Sequence, residues 1–78
     1  MKTTEFIQNL KEALEFDKVN LTTETNLKTI DGYDSMSVMT IIAFVDEYFS
    51  KKLTAQQLAG ITTVRSLMEL IGADQFSE

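Results

Sequence analysis

The chain has 78 residues, enough for one small domain but too few for two. Twelve acidic against seven basic residues give a formal charge of −5, which disfavours binding to the phosphate backbone of a nucleic acid. Cys and His are both missing, so disulfides, thiolate chemistry and histidine-based catalysis are excluded. Three Gly, no Pro and a 44% hydrophobic share favour an all-α fold.

No run of eighteen apolar residues occurs, and the N-terminal residues lack the hydrophobic segment of a secretory signal. We therefore expect no membrane span and a cytoplasmic protein. The acidic charge suits docking onto a basic patch of another protein, although the acids equally serve solubility alone.

The first helix is predicted over residues 4–16, with Thr3 or Thr4 as a cap at its start. Its apolar residues recur at offsets that fall on one helix face. These residues are Phe6, Ile7, Leu10, Ala13 and Leu14.

Residues 17–34 have no sustained period and are rich in Asp, Asn and Thr, which predicts a long loop with at most one short helical turn. Leu21, Leu27 and Ile30 are expected to anchor this loop to the core. Asp31-Gly32 predicts a turn at its end. Disorder is the alternative for the whole segment.

The second helix is predicted over residues 35–50. Its apolar residues fall within an arc of about 120° at 100° per residue, wide enough for a core face. The predicted core face comprises Val38, Ile41, Ile42, Val45, Tyr48 and Phe49. The opposite, solvent-facing side comprises Met36, Ser37, Met39, Thr40, Ala43, Asp46 and Glu47.

A short helix is predicted to begin at Thr54, where Gln57 completes a capping-box pattern, and to stop at Gly60. The last helix is predicted over residues 63–71 and ends before Gly72. Its inward-facing residues are Val64, Leu67, Met68 and Ile71. Residues 73–78 are expected to be frayed. The sequence thus predicts a single domain, a bundle of three main helices plus one short helix.

Ser35 is the candidate for covalent chemistry, because the first turn of a helix exposes side chains and favours an anionic substituent. It is not expected to act as a catalytic nucleophile, since the chain has no His and no pattern places Lys28 or Lys51 beside it. Neighbouring acids such as Asp31 and Asp34 are expected to be solvated, so no metal site and no enzyme activity are predicted.

Three stretches in the same order give the sequence its most specific feature. They are Asp34-Ser35-Met36, Asp46-Glu47-Tyr48-Phe49 and Ile61-Thr62-Thr63-Val64. Over essentially its whole length, and without a gap between these stretches, the chain resembles the acyl carrier protein family. They match the attachment motif, the acidic end of the second helix and the start of the last helix in that family.

The resemblance implies that Ser35 carries a 4′-phosphopantetheine arm, transferred from coenzyme A by a separate magnesium-dependent transferase. Asp34 then orients the serine hydroxyl or serves as a helix cap. The arm ends in a thiol that holds an acyl group as a thioester, so the chain acts as a monomeric carrier. Its partners are the transferase and acyl-handling enzymes. Phe44 and Ile61 are candidates for lining an acyl chain, with ordinary core packing as the alternative.

Departures from the family pattern concern the docking face. Fatty-acid-synthesis carriers usually have acids at the positions of Ser37 and Thr40 and a Leu at that of Met36. The expected docking residues here are Met36, Met39, Thr40, Ala43, Asp46 and Glu47. The pathway is therefore fatty-acid synthesis or a more specialised lipid or polyketide pathway. An aminoacyl or peptidyl carrier and a non-covalent helical interaction module are the alternatives.

Overall fold

The computed structural model describes residues 1–16 and 18–77. Within these ranges the regular secondary structure is helical, and two isolated β-bridges occur in addition. The elements in chain order are α1 (Thr3–Leu14), a 3-10 turn (Leu27–Thr29), α2 (Ser35–Phe49), α3 (Ala55–Ala59), α4 (Val64–Ile71) and a second 3-10 turn (Ala73–Gln75). The all-α class, with three main helices, one short helix and a long loop after the first, is confirmed.

The core draws on all four helices and on the loop between α1 and α2. Its largest fully buried side chains are Phe6, Leu10, Leu27, Ile41, Val45, Leu58, Val64 and Leu67. Burying one such side chain contributes about 1.5–3 kcal/mol, so this cluster is the main source of stability in a domain this small. None of the helices in the described part of the chain has the length and apolar character needed to span a bilayer.

The predicted ends of α1 were wrong on both sides. The helix begins at Thr3 after Lys2, and no threonine side chain caps it. It ends at Leu14, because Glu15 adopts a left-handed conformation with φ 60°, and the N–H of Phe16 donates back to the carbonyl of Lys11. This C-capping hydrogen bond satisfies a carbonyl at the end of the helix, and the left-handed residue turns the chain away from the helix axis.

The loop after α1 is held by backbone hydrogen bonds to the start of α4. The N–H of Leu27 donates to the carbonyl of Thr62 at 2.8 Å, and the N–H of Val64 donates to the carbonyl of Thr25 at 3.0 Å. The predicted anchors agree with this arrangement, since Leu21 and Leu27 are buried and Ile30 packs against the core. Residues 18–34 thus form an ordered loop, and Asp17 lies outside the described residues.

The predicted caps of the two C-terminal helices are largely confirmed. Thr54 and Gln57 form the capping box of α3, and Gly60 follows that helix as its C-cap. Thr63 is the N-cap of α4 rather than its first residue, and Gly72 ends that helix.

The expected frayed tail was wrong for residues 73–77. Thr3 donates its N–H to the carbonyl of Ser77 at 2.7 Å, and Ser77 donates its own N–H to the carbonyl of Met1 at 3.0 Å. The ring of Phe76 packs edge-on against Phe6, with centroids 4.9 Å apart. One aromatic side chain and a short parallel bridge therefore dock the tail, while Glu78 lies outside the described residues.

The predicted faces of α2 need two corrections. Tyr48, expected in the core, is 48% exposed, whereas Phe44, one helical turn before it, is buried. Ser37, expected to face solvent, is buried at the first turn. Both differences follow from a stripe rotated toward Phe44, which is where α1 contacts α2 through Phe6 at a ring-centroid distance of 5.7 Å.

Candidate functional site

Ser35 is the first residue of α2, and its side chain is exposed. Its hydroxyl has no hydrogen-bond partner among residues 1–16 and 18–77. The helix that follows has 15 residues and packs on the core through Ile41 and Val45, so the serine stands at the end of a helix held by the core. An exposed hydroxyl at a helix end is accessible to another enzyme.

Asp34 caps α2 and thereby fixes the turn that presents Ser35. Its Oδ1 accepts the backbone N–H of Met36 at 3.0 Å and that of Ser37 at 3.1 Å. The predicted capping role of Asp34 is thus present in the structure. An orienting role toward the Ser35 hydroxyl is a separate property, because no hydrogen bond joins the two side chains in the described residues.

Ser37 completes the cap from inside the helix, which sequence reasoning missed. Its Oγ accepts the backbone N–H of Asp34 at 3.3 Å. This reciprocal arrangement is a capping box in which Ser takes the place of the usual Glu or Gln at the third helical position. The sequence pattern that indicates this cap is the Asp-x-x-Ser spacing, which differs from the usual capping box with Glu or Gln at the third helical position.

One backbone donor of this first turn stays without a partner in the described part of the chain, and it belongs to Ser35 itself. The N–H groups of Asp34, Met36 and Ser37 are all taken within the capping box. A phosphodiester on the Ser35 oxygen would place anionic oxygens beside this free donor and the positive end of the helix dipole. The residues present therefore fit a phosphate-linked group.

The turn before the site is confirmed at Asp31-Gly32. The N–H of Tyr33 donates to the carbonyl of Ile30 at 3.1 Å, and Gly32 has φ 96° at the third position of this turn. Gly is needed there because a side chain at positive φ is strained. Tyr33 packs against the core with its hydroxyl buried and without a partner among the described residues, and this burial raises the pKa of the phenol above its usual value.

The expected docking residues lie on the side of α2 that includes Ser35. Met36 and Met39 are 73% and 69% exposed, unusually high values for large apolar side chains. Ala43, Asp46 and Glu47 are also exposed. Thr40 is half-buried and donates its hydroxyl to the carbonyl of Met36, so only the rest of its side chain remains available.

Within the described residues, the two lysines considered in the sequence bind backbone carbonyls and not the Ser35 hydroxyl. Lys28 donates its ammonium to the carbonyl of Ala59, and Lys51 donates to the carbonyl of Ile71 at 3.0 Å. Each lysine thus binds the C-terminal end of a helix, as expected for a cation in the field of the helix dipole. Phe44 and Ile61 are both buried core residues.

A family model described as the phosphopantetheine attachment site matches residues 4–71, which is most of the chain. No match was found among curated proteins, and none among solved structures. Members of this family are carriers that interact with transferases and acyl-handling enzymes. The chain therefore belongs to the phosphopantetheine attachment site family, whose members carry a 4′-phosphopantetheine group on a serine.

Proposed function

We propose that Ser35 is the attachment serine and that the chain is an acyl carrier protein. The observation that supports this most strongly is a comparison of the serines within the matched region, which are Ser35, Ser37, Ser50 and Ser66. Ser37 is buried, and the hydroxyl of Ser66 donates to the carbonyl of Thr63 at 2.6 Å inside the capping box of α4. Ser37 is thus withdrawn from solvent, and the half-buried Ser66 has its hydroxyl engaged in the cap of α4.

Ser50 is exposed, but it follows the C-terminal end of α2. The helix dipole places partial negative charge at that end, so a phosphodiester there is disfavoured. Ser35 lies at the opposite end of the same helix, where the sign of the dipole favours an anion. Electrostatics and access thus favour the same serine.

Attachment requires only a nucleophilic oxygen from this chain. The Ser35 Oγ forms a bond to the β-phosphorus of coenzyme A, the bond from that phosphorus to the adenosine-side phosphate oxygen breaks, and the hydroxyl proton passes to a base of the transferase. When bound, the arm supplies a terminal thiol for thioester formation. Asp34 contributes by holding the first turn of α2, and its second carboxylate oxygen has no hydrogen-bond partner in the described residues.

The decisive experiment uses the full chain, a broad-specificity phosphopantetheinyl transferase, coenzyme A and Mg²⁺. Mass spectrometry should show one adduct on the wild type and none on Ser35→Ala. Ser50→Gly is the matched control, because it removes the exposed serine at the other end of α2 and suits the left-handed conformation of that residue, with φ 55°. An adduct that persists on Ser35→Ala contradicts the assignment.

We further propose that the carrier acts as a monomer in fatty-acid synthesis or in a specialised lipid or polyketide pathway. Support for docking onto acyl-handling enzymes comes from the docking face, where exposed Met36 and Met39 offer apolar contacts on the same side of α2 as Asp46 and Glu47. Flexible methionines suit adaptable apolar docking. Release of the thioester-bound group from protein purified from its own cells, followed by mass spectrometry, identifies the cargo. Recovery of an amino acid contradicts the acyl assignment.

A further inference from the structure

A groove runs between α1 and α2 and has a volume of about 380 Å³. The α1 side of the groove is formed by Asn9, Glu12 and Ala13. Its α2 side is formed by Thr40, Ala43, Phe44, Glu47 and Tyr48. The volume lies near the lower end of the range for ligand pockets, roughly 300–1,000 Å³.

Two aromatic rings and two alanines form the apolar part of the groove lining. The ring of Tyr48 lies tilted on that of Phe44, with centroids 4.6 Å apart and an interplanar angle of 35°. Tyr48 is half exposed although it is large and mostly apolar. An exposed aromatic face attracts cations through its quadrupole.

The charged residues of the groove are both acids. Glu12 and Glu47 lie one on each helix, both are exposed, and no Lys or Arg is among the described residues that form the groove. Gln8 donates to Oε2 of Glu12 at 3.0 Å, which positions that carboxylate without neutralising it. Within residues 1–16 and 18–77, the ion pair present joins Arg65 and Glu24 on another part of the surface. The groove is therefore negatively charged.

The groove is continuous with the docking face on α2. Thr40, Ala43 and Glu47 belong to both, and at a rise of 1.5 Å per residue Glu47 lies about 18 Å along the helix from Ser35. A protein partner whose interface covers the usual ~800 Å² on each side reaches both positions at once. A partner acting on Ser35 thus has the groove within its contact area.

We propose that the groove receives an arginine or lysine side chain of the phosphopantetheinyl transferase, so that docking extends from α2 onto α1. The aliphatic stem of that side chain would cover the alanines and rings, and its charged end would meet the two carboxylates. This proposal depends on the proposed function, because it takes the transferase as the partner.

The first test compares arm transfer for the wild type, Glu12→Gln and Tyr48→Leu, with Glu5→Gln as the matched control. Glu5 is an exposed acid on α1 outside the groove. Loss of a carboxylate or of the aromatic face should raise the KM for the carrier roughly three- to tenfold with kcat unchanged, and the control should stay within about twofold. Unchanged KM values in both groove variants, or an equal rise in the control, overturn the proposal.

The second test measures binding without transfer. Ser35→Ala, labelled with ¹⁵N, is titrated with the transferase, and shifts at the amides of Asn9, Glu12 and Ala13 are expected alongside those of α2. Shifts confined to α2 overturn the proposal that the transferase occupies the groove. If the wild type takes no arm but the α1 shifts appear, the proposed function fails and the groove stands. If the wild type takes the arm and the α1 shifts are missing, the proposed function stands and the proposed use of the groove fails.

Discussion

Asp34 and Ser37 bind each other reciprocally across the first turn of α2, with the carboxylate accepting the Ser37 N–H and the Ser37 hydroxyl accepting the Asp34 N–H. This pair leaves the N–H of Ser35, between them in sequence, as the free donor of the turn within the described residues. The cap therefore stabilises the helix and at the same time leaves one backbone donor beside the proposed attachment oxygen.

Substitution of Asp34 should separate capping from any role in arm transfer. Asp34→Ala removes the side-chain acceptor of two N–H groups and should lower the free energy of unfolding by about 1 kcal/mol. Asp34→Asn keeps an acceptor oxygen and should unfold nearly as the wild type does, while losing the charge of the free carboxylate oxygen and slowing arm transfer. Urea unfolding and the mass-spectrometric transfer assay measure the two properties. Equal transfer rates for the Asp34→Asn variant and the wild type would limit Asp34 to capping.

Tyr33→Phe should leave the stability unchanged or raise it at neutral pH. The Tyr33 hydroxyl is buried without a partner in the described residues, and removing an unsatisfied polar group leaves no new group unpaired. Thermal unfolding at pH 7 measures the difference. A loss of more than about 1 kcal/mol would indicate that the hydroxyl has a bound partner such as water.

The same residue gives a dependence on pH. Burial raises the Tyr33 pKa above its usual value of 10.0, so the folded state holds the phenol proton more tightly than the unfolded state does. Between the unfolded and folded pKa values the folded state binds more protons, and the free energy of unfolding falls as pH rises through this interval. Tyr33→Phe should reduce this alkaline loss when unfolding is compared at about pH 8 and above about pH 10. An identical decline of the free energy of unfolding in the wild type and in Tyr33→Phe would contradict the assignment of this pH dependence to Tyr33.

Phe76→Ala should destabilise the domain by roughly 1–3 kcal/mol, less than for a fully buried ring because Phe76 is half-buried. Its ring contacts Phe6 and also Phe49, with a centroid distance of 5.3 Å to the latter. Asp74→Ala, an exposed change in the same segment, is the control for the measurement by urea unfolding. Similar midpoints for the two variants would mean that the tail does not contribute to the fold.

Gly32→Ala and Gly60→Ala should have different effects. Gly32 has φ 96°, so Ala there should cost roughly 1–2 kcal/mol and disturb the turn before Ser35. Gly60 has φ −88°, and an added Cβ would meet the Gln57 carbonyl oxygen at an ordinary 3.5 Å. Ala at this second position should therefore be neutral or slightly stabilising. Thermal unfolding of both variants checks the contrast, and equal losses would contradict it.

The sequence predicted the features that depend on local pattern. Apolar periodicity located α1, α2 and α4, and the Thr54–Gln57 capping-box spacing located α3. Ser35 was expected at a first helical turn, and it lies there. These features are set by residues a few positions apart, whose interactions can be derived from helix geometry.

What the sequence missed depends on contacts between distant segments. Docking of the tail through Phe76 requires Phe6 and Phe49, and nothing in the local pattern of residues 73–78 indicates that pair. The exposure of Tyr48 follows from the rotation of α2 against α1, which helical periodicity fixes only within tens of degrees. The groove between these helices could not be predicted for the same reason.

The hydrogen bonds of Leu27 to Thr62 and of Val64 to Thr25 join two segments that leave the ribosome at different times, and this affects folding during synthesis. We expect the segment that leads to Ser35 to reach its final form only after Thr62 and Val64 have left the ribosome, because these backbone partners are synthesised later than the segment itself. Nascent chains released before this point would present Ser35 on an unsettled turn. We therefore expect that a truncated, ribosome-bound chain is a poor substrate for the modifying enzyme until α4 has emerged.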